Sequence, residues 1–335
     1  MDRRSVLKLG GGAAALGLAS AGFGGLAQAA DAKMVLKAAD VHPEGYPTVA
    51  AVESMGKKLA AATKGRLSIA MYASMQLGGE KETIEQTQTS ALAFCRTSAG
   101  TLGPVIDDLN VFSLPFVFRS TEHMRKVIDG EIGKDLLASV TNSPNANLVG
   151  LAFMDAGARS MYDTKKPIKT IADMKGLKMR VMGNPIFVAM MNALGADGVP
   201  MGYDQVFSAL QTGVIDGAEN NTPSYVYDHH YEAAKFYTFT EHLILPEMLV
   251  MSKIVWNKMA KPDQQLIAKL AREAQFEERK LWDEKEADAL KKMKEAKIDI
   301  TYIKDKTPWQ DAEKPVWEKY GSKYKALVER IQKVS

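Results

Sequence analysis

Apolar and polar positions alternate along the chain in two rhythms, and the first clear pair begins at Met34. Met34 to Asp40 is a short apolar run that reads as a strand. Val52, Met55, Leu59 and Ala62 then recur at helical spacing, with Thr48 placed to cap the helix and Gly65 to stop it. Leu67, Ile69 and Met71 alternate as in a strand with one buried face. A strand, a helix and a strand in this order form the unit from which mostly parallel sheets are built. A second helix is predicted from Glu80 to about Ser90, and a strand from Leu92 to Thr97. Val111 to Phe118 is aromatic and holds Pro115, so it reads as a buried crossing segment, and Thr121 caps a helix through Ile128.

The pattern restarts near residue 150. Leu148 to Met154 and Leu177 to Met182 read as strands, separated by the polar connection Lys165 to Lys175. Asn184-Pro185 is a strong helix start, with Asn as cap and Pro in the first helical position; that helix runs to Leu194 and stops at Gly195. Another covers Asp204 to Thr212 and ends at Gly213, after which Val214 and Ile215 open a short strand into Gly217-Ala218-Glu219-Asn220-Asn221. From Pro262 to Lys297 runs one long charged helix. Leu266, Leu270 and Ala274 share a face, as do Leu281, Leu290 and Met293, while Glu277–Glu278 and Lys285–Glu286 interrupt the stripe. The middle of that helix is therefore expected to cross a gap between two bodies. Trp309, Trp317 and Tyr320 serve a last amphipathic helix. The expected architecture is an α/β clamshell of two interleaved lobes with a long helix across both. Residues 30–150 are assigned mainly to the first lobe and 151–240 mainly to the second, with 241–335 as crossover, long helix and C-terminal helices.

Composition narrows the classes of function. Of 335 residues, 46% are hydrophobic and 25% charged, ordinary globular values. The formal charge is +3, of which Arg3, Arg4 and Lys8 against Asp2 contribute +2. The near-neutral remainder carries no electrostatic footprint for nucleic acid. Residues 1–29 read as an export signal. Arg3-Arg4-Ser5-Val6-Leu7-Lys8 resembles a twin-arginine motif, Leu9 to Leu26 is weakly hydrophobic, and Ala27-Gln28-Ala29 offers a peptidase site. The alternative is a membrane anchor, for which the many Gly and Ala residues are poorly suited. Cleavage would leave a protein of the periplasm. Cys95 is the only cysteine, so no disulfide forms within the chain, and the five histidines show no metal-ligand spacing.

No GxSxG or GxxxxGK[ST] motif is present, and Gly10-Gly11-Gly12 falls in the signal. Cys95 sits in an apolar strand and reads as a buried, inert thiol. No catalytic constellation, metal or cofactor is expected. Binding chemistry is better represented. Arg159 follows Gly157-Ala158 at a turn, and Arg180 ends the strand Leu177 to Met182. A buried Arg needs an anion, either a ligand carboxylate or an internal Asp or Glu, and the two readings weigh equally for each. Asn220 and Asn221 lie at a strand end where ligands bind in α/β sheets, although Asn also favours turns on its own. His42, Glu80, Arg96 and Asp155 fall near strand ends or loop starts. Asp155 is suited to a ligand hydroxyl or to pairing with Arg159.

The chain resembles the substrate-binding proteins of tripartite ATP-independent periplasmic (TRAP) transporters, of the dicarboxylate-binding type, over nearly all of the sequence after the signal. The resemblance is carried by Gln76-Leu77-Gly78-Gly79, Phe112 to Phe118, Gly157-Ala158-Arg159, Lys166-Pro167-Ile168, Asp173 to Arg180, Ala209 to Asn220 and Thr240-Glu241-His242. It implies two lobes that close on a ligand by a hinge motion. It also implies a carboxylate clamp at Arg180, a second ligand-facing Arg at Arg159, and help from Asn220. The implied partners are the large and small membrane subunits of an ion-driven importer, and the default state is a monomer. His42 to Thr48 and Asp155 to Ser160 resemble a subgroup that takes sugar acids such as glucuronate or galacturonate. A uronate needs one carboxylate clamp and several hydroxyl partners, which His42, Glu80, Arg96, Asp155 and Asn221 are able to supply. A C4-dicarboxylate or keto acid is the alternative within this class; an exported cofactor-dependent enzyme or a purely structural protein is the alternative outside it.

Overall fold

The computed structural model describes residues 33–335, so the signal expected at 1–29 lies outside the described residues. Among the described residues, eleven strands form two sheets. In chain order they are β1 (Met34–Ala39), β2 (Leu67–Tyr72), β3 (Phe94–Ser98), β4 (Leu148–Met154), β5 (Ala158–Asp163), β6 (Lys178–Val181), β7 (Asp197–Pro200), β8 (Gly217–Asn220), β9 (Phe236–Ile244), β10 (Glu247–Ser252) and β11 (Asp299–Tyr302). The first sheet has the order β2-β1-β3-β10-β4 and the second β11-β9-β5-β8-β6-β7. β1 pairs in parallel with β2 and β3, and the helix Pro47–Ala62 makes the crossover that the spacing of apolar residues predicts. Val52, Met55 and Leu59 bury its inner face against the first sheet.

The chain passes between the sheets at Asp155-Ala156-Gly157, from β4 to β5, and again at Leu245-Pro246, from β9 to β10. β4 thus belongs to the first sheet, although the restart near residue 150 reads as the opening of the second lobe, and β9 extends the second sheet past residue 240. Alternation and apolar runs reveal a strand but not its neighbours, which long-range pairing decides. β9 and β10, which the sequence reading passes over, pair antiparallel with β5, β3 and β4. Every β10 residue is buried, so no alternation advertises it.

Two caps differ from expectation. Pro47 opens the first helix, and Thr48 instead donates from Oγ1 to Asp40 Oδ2 at 2.6 Å. Ser120, not Thr121, caps the helix Thr121–Asp129 by accepting from His123 N. Asn184 does cap Pro185–Ala193, and its Nδ2 also donates to Gly100 O and Asn110 Oδ1. Gly213 ends Val206–Thr212 at φ +73°, a left-handed conformation that suits glycine. Val214 is exposed, and the strand begins only at Gly217.

The long helix spans Lys261–Glu295. Ile267, Leu270, Ala271 and Ala274 pack on the first sheet, while Ala289 and Met293 join the core under the second. Trp282 occupies the buried position between them, against Tyr46, Val49 and Ala156, and Leu281 is exposed. The carboxylates of the middle are not all solvated, as their number suggests, because Glu278 is fully buried beside the crossing at Asp155. The C-terminal Trp309, Val316, Tyr324 and Ile331 complete the core around the crossing segment Leu109 to Phe118. Cys95 lies buried in β3, where desolvation pushes its thiol up to about 12.

Candidate functional site

The ends of β1 and β3, the start of β10 and the first residue of the helix Glu80–Gln88 converge on the side facing the second lobe. Arg96 in β3 stands opposite Leu249 in the antiparallel β10. Glu247, two residues along, shares that face and reaches the same guanidinium. Arg96 donates from Nη1 to Glu247 Oε2 at 2.6 Å and Glu80 Oε1 at 2.7 Å, and from Nε and Nη2 to Asp40 Oδ1 at 2.9 and 2.7 Å. Its Nη2 also lies 2.5 Å from His42 Nδ1. Three carboxylates therefore surround one cation. Burial alone would raise Asp40, but Arg96 and His42 hold its carboxyl well below the usual range. Glu247 is raised, chiefly by burial and then by the like charge of Glu80, against the pull of Arg96. Glu80 also accepts from Ser98 N and Thr101 Oγ1.

The second lobe contributes two arginines in different settings. Arg159 in β5 donates from Nε to Glu219 Oε2 at 2.6 Å, from Nη2 to Glu219 Oε1 at 2.8 Å, and from Nη1 to Asn220 Oδ1 at 2.7 Å. Burial opposes the charge of Glu219, yet Arg159 and His242 bring its carboxyl down to about 2. Arg180 in β6 donates from Nε and Nη2 to the carbonyl of Met201, at 3.0 and 2.8 Å, and lies 5.6 Å from the centre of the Tyr203 ring. It is 3% exposed and makes no ion pair with a carboxylate of the described residues. Burial accordingly lowers its pKa, whereas the carboxylates beside Arg96 and Arg159 raise theirs.

Asn220 Oδ1 accepts from Arg159 and from Asn221 N, and Asn221 Oδ1 caps the helix Thr222–Tyr227. Asn221 thus serves the turn and cap chemistry that Asn favours on its own, while Asn220 holds Arg159. Ser224 on that helix meets His42 Nε2 at 3.2 Å and Tyr46 OH at 3.0 Å, joining the lobes.

His42, Glu80, Arg96, Arg159, Arg180, Asn220 and Asn221 line one space, together with Val41, Ser98, Met182, Tyr203, Ser224 and Glu247. Its volume is about 30 Å³, room for one or two water molecules, so a ring-sized ligand enters only as the walls part. Asp155 does not line it. Its carboxylate faces the long helix and Arg125, with Arg125 Nε at 2.5 Å and Arg279 Nε at 3.5 Å, and its backbone N donates to Glu278 Oε2. Asp155 pairs with neither Arg159 nor the central space, because the crossing between the sheets turns it toward that helix.

Sequence reasoning missed Asp40, Glu219, Ser224, Tyr203 and Glu247. Glu247 carried a signal: it is an acid at the head of the apolar run Met248 to Met251, which burial makes tolerable only beside a cation. Among the described residues, no group of three or more His, Cys, Asp or Glu is arranged to hold a metal, and no helix is long and apolar enough to cross a membrane.

Residues 38–323 match the family described as bacterial extracellular solute-binding protein, family 7. The chain belongs to this family. A TRAP periplasmic solute-binding protein from Pseudomonas putida F1, solved with bound D-glucuronate, is 52% identical, covers 90% of this chain and 98% of its own, and superposes with a TM-score of 0.88. One from Bradyrhizobium sp. BTAi1, in complex with α/β-D-galacturonate, is 46% identical, covers 89% and 99%, and has a TM-score of 0.86. A third, from Citrobacter koseri, has been solved in two forms. With bound D-glucuronate it is 45% identical, covers 90% and 100%, and scores 0.88; the apo, open form is 44% identical, covers 89% and 98%, and scores 0.78. The arrangement of this family 7 chain is thus nearer the ligand-bound form. It is a TRAP solute receptor, the component that takes up a small carboxylate ligand and delivers it to the membrane subunits.

Proposed function

We propose that this receptor works in the periplasm and captures a sugar acid with a single carboxylate, glucuronate or galacturonate, releasing it chemically unchanged. Arg180 carries the reading. Of the three buried arginines around the central space, it alone makes no ion pair with a carboxylate of the described residues. A guanidinium in that condition favours one carboxylate in a two-bond clamp. Arg96 and Arg159 are already neutralised, so a second carboxylate would lack a partner and would face Glu80 and Glu247. The same acids, with Asn220 and Asn221, suit the hydroxyls of a sugar ring. This argues against a C4-dicarboxylate. The receptors from Pseudomonas putida F1 and Bradyrhizobium sp. BTAi1, which hold uronates, support the choice of ligand. Family membership supports a binding role without catalysis and a place outside the cytoplasm.

The test is calorimetric titration with glucuronate, galacturonate, succinate and a keto acid. Uronates are expected to bind, and Arg180→Ala to weaken them by roughly 2–5 kcal/mol, the range for truncating one partner of a buried charge pair. Binding of succinate in place of uronates, or full-strength uronate binding by Arg180→Ala, would overturn the assignment.

A further inference from the structure

Beyond the central space, toward the mouth of the cleft, lies a second and larger cavity of about 450 Å³, within the ~300–1,000 Å³ range of small-molecule sites. The two share Glu80, Arg180, Met182 and Tyr203 as a common wall. The rest of the outer lining belongs to no part of the inner cluster. The first lobe supplies Glu82, Glu85 and Val105, and the second supplies Pro200 and Asp204. Since the fold lies nearer the ligand-bound than the open form of the Citrobacter koseri receptor, this cavity is present with the lobes drawn together. As the walls of the inner space part to admit a ring, a group extending from it past Glu80, Arg180, Met182 and Tyr203 has the outer cavity to occupy.

The lining limits what that group is. Glu80, Glu82, Glu85 and Asp204 outnumber Lys81 and Arg180, so a second carboxylate is disfavoured while hydroxyl donors find acceptors. Val105 and Pro200 offer apolar surface to the C–H face of a ring. We infer that the receptor also takes uronates joined by a glycosidic bond to a neutral sugar, with the uronate in the inner space and the neutral ring in the outer cavity. The inference rests on the uronate reading above.

The test is titration of the purified protein with glucuronate and with glucuronate carrying a neutral hexose at O4 or at O1. Glucuronate and at least one glycosylated form are expected to bind within about tenfold of each other, that is ~1.4 kcal/mol. Val105 is 39% exposed, so Val105→Trp fills the outer cavity without disturbing the core. It is expected to weaken the glycosylated ligand about tenfold or more and leave glucuronate unchanged. Binding of glucuronate with rejection of both glycosylated forms overturns the inference alone, as does a Val105→Trp effect that is equal on both ligands or absent. Failure of all three ligands to bind overturns the uronate reading, and this inference falls with it.

Discussion

Arg96, Arg159 and Arg180 have the same side chain and lie on buried strands around one space, yet their partners separate them. Glu219 forms a two-bond fork with Arg159, and three carboxylates crowd Arg96. Arg180 has a carbonyl and the face of an aromatic ring. The sequence presented Arg159 and Arg180 with the same two readings, ligand anion or internal acid, and for Arg159 the internal acid is Glu219, 60 residues away. A titratable residue far from the site makes a prediction at the same scale. Glu313 is buried between two C-terminal helices, and neither carboxylate oxygen has a hydrogen-bond partner among the described residues. Desolvation pushes its carboxyl up to about 9 from 4.5. The folded state therefore keeps a proton that the unfolded chain releases above about pH 4.5. Its stabilising contribution is complete below that pH and declines as pH rises toward 9, by up to ~1.4 kcal/mol per pH unit. Glu313→Gln is expected to remove this slope and melt higher than the parent at pH 8.5. Parallel pH curves for the two proteins, followed by thermal melts, would contradict the argument.

At the scale of elements, the crossing Asp155-Ala156-Gly157 is held from one side by the long helix. Asp155 N donates to Glu278, its carboxylate lies between Arg125 and Arg279, and Trp282 packs on Ala156. Gly157 has φ +57°, and a Cβ there would come within 3.0 Å of Glu286 Oε1 and 3.1 Å of Trp282 Nε1. Gly157→Ala thus meets both backbone strain and a crowded neighbour. The expected loss in chemical denaturation is about 1–3 kcal/mol. An unchanged midpoint would mean that the crossing is less constrained than its geometry implies. The sequence marked the helix, its length and the charged interruption at its middle. That Glu278 turns inward to meet the crossing was not legible, because helical periodicity identifies a face and not what the face will meet.

For the whole molecule, the closed arrangement is held in part by direct contacts between the lobes. Ser224 of the second lobe meets His42 and Tyr46 of the first. At ~0.5–1.5 kcal/mol for a net hydrogen bond, these contacts favour the closed arrangement over the open one. Ser224→Ala is expected to raise the radius of gyration of the ligand-free protein in solution scattering. Uronate affinity should fall about two- to tenfold as closure becomes less favourable. Identical scattering from variant and parent would remove Ser224 from the closing contacts and leave it only a lining role.

Local order was written plainly in the sequence. The first strand, helix and strand, the Asn184-Pro185 start, the Gly213 stop and the long charged helix all follow from periodicity and capping, which operate over a few residues. The TRAP resemblance was readable in the same way, as strings of neighbouring residues. Tertiary structure alone decided which sheet each strand joins, that Asp155 leaves the site for the long helix, and which arginine remains without an acid. Strand pairing and charge compensation bring together residues far apart in the chain, such as Asp40, Arg96 and Glu247. No local pattern records such a meeting, since a buried charge is tolerated only by the partner that the complete fold brings to it.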